Sequence, residues 1–100
     1  MAMEVVHRDA KLQQLEEDSH FTGGWSPSVV KAFRKKMQSI RSATDERDIR
    51  HIKSNHFEKL QKPRDHQHSV RLNDQWRLIL EITGTAEAKR IEIVAIEDYH

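Results

Sequence analysis

The chain has no cysteine, two prolines, three glycines and only 6% aromatic residues among its 100 positions. Without cysteine there are no disulfides, no thiolate zinc ligands and no cysteine nucleophile. No stretch approaches the roughly 18 apolar residues of a membrane span. The opening MAMEVVHRDAKLQQLEED has neither a long apolar centre nor a small-residue cleavage pattern, so no signal peptide and a cytoplasmic location are expected. This length is one domain's worth, residues 1–100, with a single modest core and little room for a second lobe. With glycine and proline so scarce, the few that occur carry most of the punctuation: Gly23–Gly24, Pro27, Pro63 and Gly84.

Hydrophobic residues make up 36% of the chain and charged residues 33%, and the net charge of +1 hides a segregation. Residues 1–20 carry Arg8 and Lys11 against Glu4, Asp9, Glu16, Glu17 and Asp18, a balance of −3. Residues 27–41 hold Lys31, Arg34, Lys35, Lys36 and Arg41 with no acid. Residues 53–77 set Lys53, Lys59, Lys62, Arg64, Arg71 and Arg77 against Glu58, Asp65 and Asp74, a balance of +3. A basic middle favours a polyanionic partner. For Lys31, Arg34 and Lys35 two readings stand: contact with RNA backbone, or the wet face of a helix.

Ser26–Pro27 is a helix start, with serine as N-cap and proline at the first helical position. From there Val29, Val30, Phe33, Met37 and Ile40 form one apolar stripe, predicting a helix from Pro27 to Ser42. Upstream, Val5–Val6 reads as a short strand, Asp9 to Glu17 as a short helix and His20 to Trp25 as a loop. A further helical turn or two after Thr44 is expected to pack Ile49 and Ile52 inward. Beyond Asn55 the period changes to two: Phe57–Leu60, Ser69–Leu72, Trp76–Ile82 and Ile91–Ile96 read as strands. Lys62–Asp65, Asn73–Asp74 and Gly84–Thr85 supply the turns. Helices first and an antiparallel meander after predict an α+β domain, its N-terminal helices packed on a small curved antiparallel-rich sheet.

The hairpin register follows from parity. If Val70, Leu72, Trp76, Leu78 and Leu80 face one core, Leu72 pairs with Trp76 and Val70 with Leu78. Arg71 then lies opposite Arg77 on the other face, where like charges repel unless something anionic comes between them. Arg71 reads equally as an ion-pair partner. The tail, Glu97–Asp98–Tyr99–His100, brings a carboxylate, a phenol and an imidazole to the end of the last strand. RNA cleavage without a metal needs a base for the 2′-hydroxyl, cations for the phosphorane and an acid for the leaving 5′-oxygen. Two arginines on a sheet face beside such a tail supply those parts. His66 and His68 have strand-like spacing, but no Cys or acidic cluster completes a metal site around them, so neither metal nor cofactor is expected.

The run Gln67–His68–Ser69–Val70–Arg71–Leu72–Asn73–Asp74–Gln75–Trp76–Arg77–Leu78 resembles the central hairpin of HigB-type toxins of the RelE/ParE superfamily. Asp98–Tyr99–His100 resembles their C-terminus. The resemblance is dense over Phe57 to His100 and loose before it. It implies a RelE-like fold, ribosome-dependent cleavage of mRNA, and neutralisation by a helix-turn-helix, HigA-like antitoxin, with the free toxin monomeric. Carried over by position, it makes Arg77, Asp98, Tyr99 and His100 catalytic, and Arg64 and Arg71 contacts to RNA or phosphate; Lys62, exposed in the turn, and His68, as an RNA-facing histidine, are expected to join those contacts. The chain departs from the family at Lys62–Pro63, where Gly-Asp or Gly-Asn is usual. It departs again at Glu58 and Gln61, where some members carry histidine and lysine. Two alternatives follow from the same scaffold: a ParE-like toxin that binds and poisons DNA gyrase, and a catalytically degenerate antitoxin-binding module. On the nuclease reading, Arg77→Ala is expected to leave the fold intact.

Overall fold

A computed structural model describes residues 3–85 and 88–98. In chain order it runs β1 (Glu4–His7), α1 (Ala10–Glu17), α2 (Pro27–Ser42), α3 (Glu46–Arg50), a 3-10 turn (Lys53–Asn55), β2 (Glu58–Lys59), β3 (Gln67–Arg71), β4 (Trp76–Thr85) and β5 (Ala88–Asp98). The strands form one sheet in the order β1-β5-β4-β3-β2. The expected α+β architecture is therefore present. The meander is antiparallel, and β1 adds along β5 in parallel, with Val5 opposite Ile91 and His7 opposite Ile93.

The helices lie where their caps and apolar spacing put them. Ser26 Oγ accepts from the Val29 amide at 3.4 Å, and Pro27 opens α2. Asp9 caps α1 by accepting from the Lys11 amide at 2.8 Å. Leu12 and Leu15 of α1 and Val29, Val30, Phe33, Met37 and Ile40 of α2 bury against Val70, Leu78, Leu80, Ile91, Ile93 and Ile96 of the sheet. Arg34 is not on a wet face. Its guanidinium donates to the carbonyls of Leu15, Asp18 and Phe21 at 2.9–3.0 Å, closing the C-terminal end of α1 onto α2. His7 donates from Nε2 to Glu16 at 2.7 Å, and Arg41 donates to the same carboxylate at 2.8 Å, joining β1, α1 and α2. Ile49 is buried as expected, but Ile52 is not: it is 39% exposed, because the chain leaves α3 just before it and turns toward the sheet edge.

The β3–β4 register is the one that parity requires. Val70 faces Leu78, Arg71 faces Arg77, and the Leu72 amide donates to Trp76 at 2.9 Å. Along β5, Ile93 pairs with Leu80 and Ala95 with Ile79, so Val94 is an extra residue at a bulge. The bulge reverses parity. It keeps Ile91, Ile93 and Ile96 all on the helix side despite their uneven spacing, and it turns Glu97 to the other face, opposite Arg77.

Candidate functional site

The helices cover one face of the sheet, and the opposite face takes the alternate residues Ser69, Arg71, Arg77 and Ile79. Arg77 is 6% exposed. Its Nε and Nη2 donate to Ser69 Oγ at 3.2 and 2.8 Å, and Nη2 also donates to the carbonyl of His56. His56 follows the 3-10 turn in a left-handed conformation (φ 43°), and its carbonyl meets the guanidinium. Arg71, directly opposite, forms an ion pair with Asp74 across the hairpin turn. The facing arginines are thus tolerated because each has partners of its own.

Arg64 completes the arrangement from the turn between β2 and β3. Its Nε donates to Gln67 Oε1 at 3.0 Å, and its two terminal nitrogens donate to the two carboxylate oxygens of Glu97 at 3.0 and 2.7 Å. The Glu97 carboxylate raises the guanidinium's pKa. This two-pronged geometry is also one with which arginine can hold a phosphate. Between Arg64 and Arg77 lies a pocket of about 200 Å³, floored by Ile79 and Leu60 and edged by Ser69, Glu97 and Asp98. Asp98 accepts from the Gln75 side-chain amide at 3.0 Å, which holds the end of β5 to the hairpin turn.

Among the residues expected to form the site, Arg64, Arg77 and Asp98 converge on this pocket. Arg71, the cross-strand neighbour of Arg77, lines a separate groove. Lys62 is exposed in the β2–β3 turn. His68 is on the helix side of the sheet, stacked on Phe57 with centroids 4.9 Å apart, and Arg50 lies over the same Phe57 ring. Burial, and then the charge of Arg50, push the His68 pKa down. That neutral, aromatic-packed imidazole stands apart from Arg64 and Arg77. Tyr99 and His100 lie outside the described residues.

Three participants were missed at the sequence level: Ser69, the His56 carbonyl and Glu97. Ser69 was within reach, since it shares parity with Arg77 two residues along the paired strand. Glu97 required the bulge at Val94, which has no sequence marker. What the assembled groups can do chemically is bind one phosphate on Arg64, with the buried Arg77 guanidinium behind it, provided Arg64 exchanges Glu97 for the ligand. The carboxylates of Glu97 and Asp98 edge the same pocket.

A family model described as the RelE-like toxin of type II toxin-antitoxin system HigB matches residues 6–100. No curated protein matches the chain. Among solved structures, a YoeB/ParE toxin from Agrobacterium tumefaciens aligns with a TM-score of 0.61 at 13% identity, covering 98% of this chain and 100% of that one. At that identity the likeness is one of fold.

Proposed function

The chain belongs to the RelE-like, HigB-type toxins of type II toxin–antitoxin systems, and from that premise we propose that it is a ribosome-dependent endoribonuclease that cleaves messenger RNA and so arrests translation. The observation that carries the reading is the convergence of Arg64 and Arg77 on one pocket beside the end of β5, the strand that leads into Tyr99–His100.

The reaction needs no added nucleophile. The ribose 2′-hydroxyl attacks the adjacent phosphorus, the O2′–P bond forms and the P–O5′ bond breaks. The products are a 2′,3′-cyclic phosphate and a free 5′-hydroxyl. Arg64, released from Glu97, binds the scissile phosphate and stabilises the charge that builds on its oxygens; Arg77 fixes the pocket wall and adds positive potential from behind. Tyr99 and His100 serve the two proton transfers, one from the 2′-hydroxyl and one to the leaving oxygen, and Asp98 orients them. Lys62 and Arg71 extend the cationic track along the strand. His68 contributes by packing. No metal or cofactor enters this scheme. The ribosome presents the message, a HigA-like helix-turn-helix antitoxin neutralises the toxin, and the compartment is the cytoplasm.

The test is inducible expression in a bacterium followed by mapping of mRNA 5′ ends, with Arg64→Ala and a deletion of His100 alongside. Arg64 is half-exposed, so its loss spares the fold, and removing a charged donor of this kind lowers turnover by about 10²–10³-fold. New in-frame ends within translated regions, absent from both variants, are expected. Growth arrest without new ends would transfer the activity to another target, such as gyrase; no arrest would leave an antitoxin-binding module.

A further inference from the structure

A cavity of about 630 Å³ shares no lining residue with the Arg64–Arg77 pocket. It is a groove between α2, the 3-10 turn and the β3–β4 turn. Lys31 enters it from one turn of α2 and Lys35 and Lys36 from the next, and Arg71 enters from the hairpin. None of its lining residues is acidic. Ile52 also lines it, the exposed large hydrophobic residue among those described, with Ala32 and Leu72 nearby.

We propose that this groove is the docking site for an acidic segment of the antitoxin, one that seats an apolar side chain on Ile52 and sets carboxylates against Lys31, Lys35 and Arg71. The charge pattern favours an anion at Lys31 and Lys35, while Arg71 already has Asp74 as an ion-pair partner that a bound carboxylate would join or replace. Lys31 and Lys35, one turn apart on α2, repel one another, and Lys35 also repels Lys36; a bound polyanion turns that repulsion into attraction. Lys36 is drawn inward toward Asn55 Oδ1, and burial, then Lys35, lowers its pKa. A cation so desolvated gains more from a neighbouring carboxylate than a fully solvated one does. The apolar floor chooses the class of anion. An RNA backbone would neutralise the lysines and leave Ile52 in water, whereas an acidic amphipathic segment satisfies both features. Arg71 joins the groove to the open sheet face, since it lines the one and shares parity with Arg77 on the other. A segment seated here withholds Arg71 from RNA without entering the cleavage pocket. The inference rests on the antitoxin partner that the family implies, and not on the cleavage chemistry.

The experiment uses the full-length protein and three labelled probes followed by fluorescence anisotropy. They are a four-turn peptide with leucines on one face and glutamates on the other, the same peptide with serine for leucine, and an oligouridylate. The leucine–glutamate peptide is expected to bind about tenfold more tightly than its serine counterpart, with affinity falling as salt rises. Lys31→Glu with Lys35→Glu should weaken it by at least about tenfold, and Ile52→Ser by several-fold. All three substitutions are on the surface, and circular dichroism verifies their folding. Stronger binding of the oligouridylate, with Ile52→Ser silent, would make the groove an RNA contact and overturn the proposal. So would equal binding of the two peptides, or binding of neither. Messenger cleavage by the same variants is scored separately: cleavage retained with peptide binding lost separates this groove from the nuclease reading, and failure of either leaves the other standing.

Discussion

Replacing Arg77 with alanine removes a guanidinium that reaches three acceptor atoms inside the protein. Ser69 Oγ takes two of its hydrogen bonds at 2.8 and 3.2 Å, the Ser69 carbonyl takes one at 3.3 Å, and the His56 carbonyl takes another. Ser69 is only 1% exposed, so water cannot replace the lost donor without opening the sheet. A hydrogen bond from a charged group contributes about 1.5–3 kcal/mol net, and a buried acceptor left unsatisfied costs about 1–3 kcal/mol. Part of that loss is offset, because alanine also removes the desolvation penalty of burying the guanidinium. The balance is about 2–4 kcal/mol, a large share of the roughly 5–15 kcal/mol that holds a domain together. At about 4–8 °C per kcal/mol, Tm falls by roughly 8–32 °C. The sequence-based expectation that this substitution spares the fold is thereby reversed. Urea denaturation followed by tryptophan fluorescence reads the loss, since Trp25 and Trp76 pack edge to face at 5.2 Å and separate on unfolding. A cycle with Ser69→Ala should show a coupling of about 1–2 kcal/mol. A loss below about 0.5 kcal/mol, with the denaturant slope unchanged, would refute the reasoning.

Three further outcomes are expected. Because His68 has a lowered pKa in the fold, the unfolded chain binds more protons between that value and the ordinary 6.5. Stability therefore falls as pH drops below about 6.5, and His68→Phe should flatten that part of a pH–stability profile; an unchanged slope would exclude His68 as its source. Gly84 has φ +95°, and a Cβ there would stand 2.0 Å from the Ala88 carbonyl oxygen, so Gly84→Ala should destabilise the β4–β5 hairpin by more than about 1 kcal/mol, measured by thermal melting. Glu97→Gln should release Arg64 and raise affinity for a short RNA by roughly two- to fivefold, while stability moves by less than about 1 kcal/mol because the ion pair is exposed. Weaker RNA binding by that variant would show that Glu97 is not a stand-in for phosphate.

The parts of the fold legible in the sequence are those set by local chemistry. Ser26–Pro27 and the stripe from Val29 to Ile40 define α2, and the parity of Val70, Leu78 and Leu80 places Arg71 opposite Arg77. The illegible parts depend on contacts between distant segments. Nothing in four residues at Glu4–His7 names β5 as their partner or parallel as their direction. Parity puts Arg77 on the face away from the helices but says nothing of the segment around His56 that folds back to cover it. His68 reads as facing RNA once a metal role for His66 and His68 is set aside, yet period-two alternation sends it to the helix side, onto Phe57. Arg34 looked solvated because it lies off the apolar stripe, although three carbonyls at the end of α1 were waiting for a donor. Of the two site arginines, Arg77 is reached by parity together with the family resemblance, and Arg64 by the resemblance alone. Glu97 was not assigned to the site because one unpaired residue, Val94, decides which way it points.

The most direct test of the central claim is cleavage of a defined message on programmed ribosomes, with the nucleotide before the mapped scissile bond carrying either a 2′-hydroxyl or a 2′-hydrogen. The account predicts cleavage of the first message, leaving a 2′,3′-cyclic phosphate and a 5′-hydroxyl, and none of the second. Equal cleavage of both messages, or 5′-phosphate products, would contradict it.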